Sequence, residues 1–296
     1  MEHRLTVIIP SLGRNSIVKV LNDIKEDEPA LIIVLAHGKE AFSYIRNKVD
    51  LSAVQVIECA KRLSLSELCN IGLKQVATDY FAFFSDDDTW VKGKSNKLIN
   101  TLVGSPEFDI AIGSTIEKIG RRNRIRPTNL LANNQNIFDY LYESPILFKN
   151  NRYIGLQDAI LRKGTYPNFR SNLNVYEDVI WLSDVQLMGH RVICIREVVS
   201  LKFPSMQRSK NRQSTAAVLN LHKEIARISQ ATATKFFVYH STRAAIASGD
   251  LRMFKTILGK RFKTVGKTFK DVIVVPIQIL TLMGFLIANK VRRKSS

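Results

Sequence analysis

Residues 83–90 read FFSDDDTW, placing Asp86, Asp87 and Asp88 side by side after an aromatic run, Tyr80 to Phe84. Such a run has the composition of a buried strand. On general grounds a cluster like this is a solvated turn, with Asp88 capping the helix that follows. Three adjacent carboxylates repel one another, however, and a hard divalent cation held through oxygen relieves that repulsion. Mg²⁺ is commonly held by one or two carboxylates plus substrate phosphates, so the second reading points to a nucleotide diphosphate.

Working outward from this stretch, apolar strand-like runs alternate with helical patterns, the sign of an α/β domain. Leu5-Thr6-Val7-Ile8-Ile9-Pro10 is a β-branched run ending at Pro10, followed by a loop with Ser11, Gly13 and Arg14. Ile17, Val20, Leu21 and Ile24 then recur at helical spacing. Leu31 to Leu35 and Val54 to Ile57 read as strands, and Leu65, Leu68, Ile71 and Gly72 as a helix ahead of the strand Tyr80 to Phe84. Ile110 to Ile112 and Val192 to Ile195 are further strands. In open α/β sheets ligands sit outside the carboxyl ends of the strands. Pro10 to Arg14 and the three aspartates both follow such ends, so both are expected to line one crevice.

The chain has 296 residues and a net charge of +18, and the distribution of that charge divides it in two. Residues 201–296 carry 19 Lys and Arg against Glu224, Asp250 and Asp271, a balance of +16, which leaves residues 1–200 at +2. We therefore expect an α/β domain over 1–205 and a basic helical region over 206–296. Cys59, Cys69 and Cys194 are isolated, which argues against a disulfide framework or a zinc site and suits a reducing compartment. Met1 to Arg4 lead directly into the first strand, so no signal peptide is expected.

Four segments in this order resemble family 2 glycosyltransferases of the GT-A fold. They are LTVIIPSLGR at 5–14, the NxG of Asn70-Ile71-Gly72, YFAFFSDDDTW at 80–90, and Tyr176-Glu177-Asp178-Val179-Ile180-Trp181-Leu182 followed by Gly189-His190-Arg191-Val192. The last resembles the family's "ED" motif, and the 91 positions between Asp87 and Asp178 also match. The resemblance covers roughly residues 4–200. It implies a Rossmann-like, mostly parallel sheet flanked by helices, and an inverting transferase that uses a nucleotide-diphosphate sugar with Mn²⁺ or Mg²⁺. Carried over residue by residue, it makes Asp87 the metal ligand with Asp86 beside it. Pro10, Ser11, Arg14, Asn70 and Asp86 would lie against the nucleotide sugar. Asp178 takes the place of the catalytic base, with Glu177 orienting the acceptor or sharing that role.

The departures are equally specific. Ser85 replaces the first aspartate of the motif, and Leu35-Ala36-His37-Gly38 stands where the family usually places a base-reading carboxylate. Cys69 occupies the usual arginine position before Asn70. The QxxRW motif of processive synthases is absent, which favours transfer of a single sugar.

The chemistry fits the residue types. A leaving diphosphate needs its charge neutralised by a Lewis acid, and an acceptor hydroxyl needs a positioned base on the opposite face of an oxocarbenium-like centre. In the segment SMQRSKNRQS, Arg208 and Arg212 are further candidates for diphosphate contact. Residues 251–270 place Leu251, Phe254, Leu258, Phe262, Val265 and Phe269 at helical spacing among seven cations, the pattern of an amphipathic helix on anionic lipid. Residues 272–288 are uncharged, and their 17 positions barely match a hydrocarbon core of about 30 Å. We expect a monotopic or re-entrant segment there, at the cytoplasmic face of a membrane, and a saccharide or polyprenyl-linked acceptor. A nucleic-acid-binding protein and a nucleotidyltransferase are the competing classes. The apolar run has no use in a phosphate groove and no recognition motif is visible, so no nucleic-acid partner is expected.

Overall fold

The structure is a computed structural model. It describes residues 4–203 apart from 62, 121, 134, 143–151, 172, 174 and 175, together with 222–227 and 233. The sheet and its flanking helices lie in one compact unit, residues 1–141 and 151–205. The helical segment 222–227 belongs to the second unit, and within it Arg227 pairs with Glu224 at 3.0 Å.

In chain order the elements are β1 (Leu5–Ser11), α1 (Ser16–Lys25), β2 (Leu31–His37), α2 (Lys39–Lys48), β3 (Val54–Cys59) and α3 (Leu65–Leu73). Then come β4 (Tyr80–Phe83), β5 (Thr89–Trp90), α4 (Lys94–Gly104), β6 (Ile110–Ile119), β7 (Arg122–Arg126) and α5 (Ile137–Tyr142). A 3₁₀ turn (Leu156–Asp158) leads into β8 (Ala159–Arg162), and α6 (Glu177–Leu187) and β9 (Val192–Lys202) follow. The described strands form one sheet in the order β3-β2-β1-β4-β8-β6-β9-β5, with β7 added to β6. β3, β2, β1 and β4 are mutually parallel, β8 runs against β4 and β6, and β9 is parallel to β6. This is the mixed, mostly parallel α/β fold expected from the alternation of patterns.

The local reasons are visible in the residues. Ile8, Ile9, Ile32, Ile33, Val34 and Leu35 are fully buried, as in a parallel sheet covered on both faces. Ile17, Val20, Leu21 and Ile24 form the inner stripe of α1. A capping box starts α3: the Ser64 hydroxyl accepts from the Glu67 amide, and Glu67 accepts from the Ser64 amide. Gly72 lets that helix lie directly on the sheet, because a Cβ there would stand 2.4 Å from Ile8 Cγ2.

The strands β5, β7 and β8 and the helices α2, α4 and α5 are additions to the sequence reading. β6 and β9 also run well beyond their apolar starts. β5 has two residues and exists through its pairing with Leu201 and Ser200 of β9, a contact that no local pattern encodes. β7 carries Arg122, Arg124 and Arg126, which conceal its strand character.

Candidate active site

Leu5 to Ile8 of β1 pair with Tyr80 to Phe83 of β4, and the Phe84 amide donates to the Ile8 carbonyl at 2.9 Å. The loops leaving the two strands therefore emerge side by side. Asp86, 4% exposed, joins them. Its Oδ2 accepts from the Ser11 hydroxyl at 2.9 Å and the Leu12 amide at 3.0 Å, and its Oδ1 accepts from Arg14 Nη1 at 3.0 Å. The same nitrogen of Arg14 donates to Asp87 Oδ2 at 2.7 Å, and Ser85 Oγ donates to Asp87 Oδ1. Gly13 makes this return possible: its φ is +72°, and a Cβ would stand 2.7 Å from Ala41 Cα.

Asp88 corrects one expectation. It is 3% exposed and caps no helix; its Oδ1 accepts from the Phe203 amide at 3.3 Å, just beyond β9. The cluster is thus not a solvated turn. α4 begins instead at Gly93, in a left-handed conformation, and its first amides are served from a distance. Asp27 accepts from the Gly93 amide at 2.6 Å, the Ser95 amide at 2.9 Å and Trp90 Nε1 at 2.8 Å.

Beneath this turn lies Lys94, fully buried. Its Nζ sits 4.0 Å from the centroid of Trp90 and 4.7 Å from that of Phe84, and it donates to the Gln157 carbonyl. Burial pushes its ammonium down to about 7, against the opposing pull of Asp158, Asp27 and Asp88. Asp158 is likewise fully buried, which raises its carboxyl, while Lys94 and a hydrogen bond from Ser200 pull it back.

Glu177 and Asp178 begin α6, following Tyr176, whose φ of 61° turns the chain into the helix. Acids in a first turn suit the positive end of the helix dipole. Three sets of contacts fix this turn against the rest of the site. Both ends of the Asn70 amide are engaged by Phe169: Nδ2 donates to its carbonyl at 2.9 Å, and Oδ1 accepts from its amide at 2.7 Å. Arg170 grips Asp184 of α6 with Nε at 2.9 Å and Nη2 at 2.6 Å. Trp181 donates its indole N–H to the Pro167 carbonyl at 2.7 Å and stacks on Phe169 with centroids 4.5 Å apart. Phe83 meets Phe169 at 5.3 Å and Trp181 at 5.8 Å, edge to face. Phe83 is two residues before Ser85, so one aromatic cluster supports both the aspartate loop and the Glu177–Asp178 turn. Cys69 lies close enough to both acids that their charge adds to burial in pushing its thiol far above the ordinary range.

The structure therefore brings Ser11, Arg14, Asp86 and Asp87 together at the ends of β1 and β4, with Pro10 inside the β1–β2 pairing. Asn70 is held on Phe169, which stacks on Trp181 of the helix that Glu177 and Asp178 begin. Arg208, Arg212 and the segments 251–270 and 272–288 lie outside the described residues. Lys94, Asp27, Asp158 and Arg170 were not singled out by the sequence reading; their partners are all distant in sequence, and the only local signal was a lysine placed after a buried tryptophan.

Among the described residues no three His, Cys, Asp or Glu side chains are grouped to hold a metal by themselves. The donors do suit a hard cation shared with phosphate. Asp87 is the more exposed of the two carboxylates, with 21% of its side chain accessible against 5% for Asp86, and its oxygens accept from Ser85 and Arg14.

The family model described as glycosyl transferase family 2 matches residues 6–165, which take in both strand ends and the aspartate loop. This chain belongs to that family. It is a glycosyltransferase. Among curated proteins none matches the chain. The fold resembles the crystal structure of S. aureus TarS 1-349, with a TM-score of 0.59 at 14% identity over 99% of this chain and 92% of that one. The same protein in complex with UDP-GlcNAc gives 0.60 at 14% identity over 89% and 82%. The mannosyltransferase PcManGT from Pyrobaculum calidifontis, in complex with GDP-Man and Mn²⁺, gives 0.56 at 16% identity over 98% and 86%. These likenesses concern the fold.

Proposed function

We propose that this glycosyltransferase moves a single sugar from a nucleotide-diphosphate sugar to a hydroxyl of a lipid-linked saccharide, with inversion and with Mn²⁺ or Mg²⁺, in the synthesis of a surface glycan. The observation that carries the reading is the anchoring of the Asp86–Asp87 loop and the Glu177–Asp178 turn to one rigid aromatic cluster. A donor's diphosphate and an acceptor hydroxyl must be held at fixed separation, and effective molarity depends on such rigidity. The fold's likeness to structures holding UDP-GlcNAc and GDP-Man supports a nucleotide-sugar donor, and the Mn²⁺ in one of them supports a divalent ion.

In this reading Asp87 holds the cation and Asp86 keeps the loop of Ser11 and Arg14 beneath the diphosphate. A divalent ion there would neutralise the charge developing on the leaving diphosphate. Arg14 has 42% of its side chain exposed and is free to turn from Asp87 toward that diphosphate. Asp178 accepts the proton of the acceptor hydroxyl as its oxygen bonds to the anomeric carbon and the bond to the nucleotide diphosphate breaks. Glu177 orients the acceptor. The basic region 206–296, including Arg208 and Arg212, supplies further diphosphate contact and holds the enzyme at the cytoplasmic face of an anionic membrane. No helix among the described residues is long and apolar enough to cross one.

The test is transfer to polyprenyl-diphosphate-linked saccharides from a panel of nucleotide sugars, with and without Mn²⁺. Wild type should release a nucleoside diphosphate only with metal, while Asp87→Ala and Asp178→Asn should lose at least about 100-fold in kcat, a general-base loss being typically 10²–10⁴. Full activity in either variant refutes the assignment, and release of inorganic diphosphate would make the enzyme a nucleotidyltransferase.

A further inference from the structure

Lys94 stands where packing alone would favour an apolar residue. It lies fully buried in the first turn of α4, whose other inward positions include Leu98, Ile99 and Leu102. Lysine is among the residues least often fully buried, and an ammonium withdrawn from water is costly unless it is compensated. The compensation comes from several elements at once. The ring centroids of Phe84 and Trp90 lie 4.7 and 4.0 Å from Nζ, and the Gln157 carbonyl accepts its hydrogen bond. Asp158, Asp27 and Asp88 all act on its charge.

Phe84 and Trp90 bracket residues 85–89, and their rings meet edge to face at 5.1 Å. The turn that carries Asp86, Asp87 and Asp88 therefore begins and ends on one cation. Each limb of the turn has a further tie. The Phe84 amide donates to the Ile8 carbonyl, the Trp90 indole donates to Asp27, and Asp88 accepts from the Phe203 amide. Asp87 lies at the middle of this span. Attraction between a cation and an aromatic face needs the charge, which a side chain of similar length such as methionine does not supply.

We propose that Lys94 is a positioning residue for sugar transfer, its ammonium fixing the place of Asp87 by holding both ends of the aspartate turn against the Gln157–Asp158 turn. The proposal rests on the reading of Asp87 as the residue that holds the divalent cation, and it adds the device that keeps Asp87 in place. Lys94 acts through the turn and touches neither substrate nor metal.

The experiment separates positioning from stability in the full chain, by urea unfolding beside release of nucleoside diphosphate. Lys94→Met leaves Asp158 as an orphaned charge, whereas Lys94→Met/Asp158→Asn removes that charge and should regain stability. A lysine that served the fold alone would have turnover return with stability. The double variant should instead stay about 10-fold or more below wild type in kcat and need more Mn²⁺ for half-maximal rate, since a misplacement of about 1 Å can cost about 100-fold. Wild type supplies a second test that needs no variant. Burial brings the Lys94 ammonium down to about 7, with Asp27, Asp88 and Asp158 facing it and Lys202 and Tyr153 beyond Asp158. The protonated form holds the turn, so wild-type kcat with Mg²⁺ should fall about 10-fold between about pH 6 and about pH 8.5, while the folded state gains stability above pH 7. The double variant should lack that fall. A stable double variant with the kcat and metal requirement of wild type overturns the proposal, as does a wild-type kcat that holds level across this pH range. Failure of the metal reading shows differently: wild type then transfers sugar equally well in a chelator, and the kcat of the double variant still decides the role of Lys94.

Discussion

Lys94→Met removes a charge from a place with no water to replace it, and its cost can be worked from the contacts. Lys94 and Asp158 are both fully buried, and methionine fills most of the lysine's volume over Trp90 and Phe84. The main loss is therefore electrostatic: Asp158 keeps its hydroxyl partner Ser200 but loses the cation that lowers its pKa. Leaving one member of a buried pair uncompensated costs about 3–5 kcal/mol. At about 2–4 °C per kcal/mol for a domain of this size, the melting temperature should fall on the order of 10 °C. Asp158→Asn in the same chain removes the orphaned charge and should restore at least half of the loss, a coupling of about 1–3 kcal/mol. The pH dependence carries a second signature. Lys94 sits near 7 in the folded state against 10.5 ordinarily, so between those values the unfolded chain binds more protons. Wild type should therefore gain stability as pH rises from about 7 toward 10, a gain absent from Lys94→Met. The raised carboxyl of Asp158 works in the opposite sense at the acid end, losing stability as pH rises through and above the ordinary 3.8. Urea unfolding followed by tryptophan fluorescence measures all of this. A single variant within 1 kcal/mol of wild type, or no recovery in the double variant, refutes this electrostatic account.

Gly72→Ala should cost about 1–3 kcal/mol by overpacking, since its Cβ would stand 2.4 Å from Ile8 Cγ2; thermal melting checks it, and an unchanged Tm would contradict the close contact of α3 with β1. Asp86→Ala strips the acceptor from Ser11, Leu12 and Arg14, and should destabilise by about 2–4 kcal/mol while raising KM for the nucleotide sugar. Steady-state kinetics beside denaturation separates the two effects. Burial holds the thiols of Cys59 and Cys69 above their ordinary range and that of Cys194 at about 12. A thiol reagent at pH 7.5 should thus react slowly with the native protein and with all three cysteines after urea, as absorbance at the released thiolate will show.

How much of this was legible in the sequence depends on how far apart the partners lie. β1, β2, α1 and α3 declared themselves because their apolar periodicity is local, whereas Glu177–Asp178 was singled out by its likeness to the family's motif, and the structure puts the pair at a helix start. The ends of β1 and β4 were expected in one crevice, and they are joined through Asp86. The support around them was not legible. Asp27 reaches Gly93 and Ser95 across more than sixty residues, and Arg170 reads as an ordinary surface cation until Asp184 faces it. Asn70 was expected against the donor, and the structure shows both its amide ends on Phe169. A sequence motif names a residue; it does not say whether that residue touches the substrate or steadies the loop that does.

The aspartate cluster shows why three like charges tolerate one another after a buried strand. They do not share an environment. Asp86 faces inward to the β1 loop, Asp87 faces the opening with Ser85 and Arg14, and Asp88 faces β9 in the field of Lys94. Repulsion between neighbours is offset by separate cations on opposite sides, Arg14 above and Lys94 below. Of the two, Arg14 is half exposed and able to leave, whereas Lys94 is sealed in. Departure of Arg14 toward a diphosphate would leave Asp86 and Asp87 with an excess of negative charge at the mouth of the crevice, and that excess is what a divalent cation arriving with the donor would neutralise. On the proposed mechanism, the turn that Arg14 neutralises at rest would be the one that takes up a divalent cation when the donor draws Arg14 away.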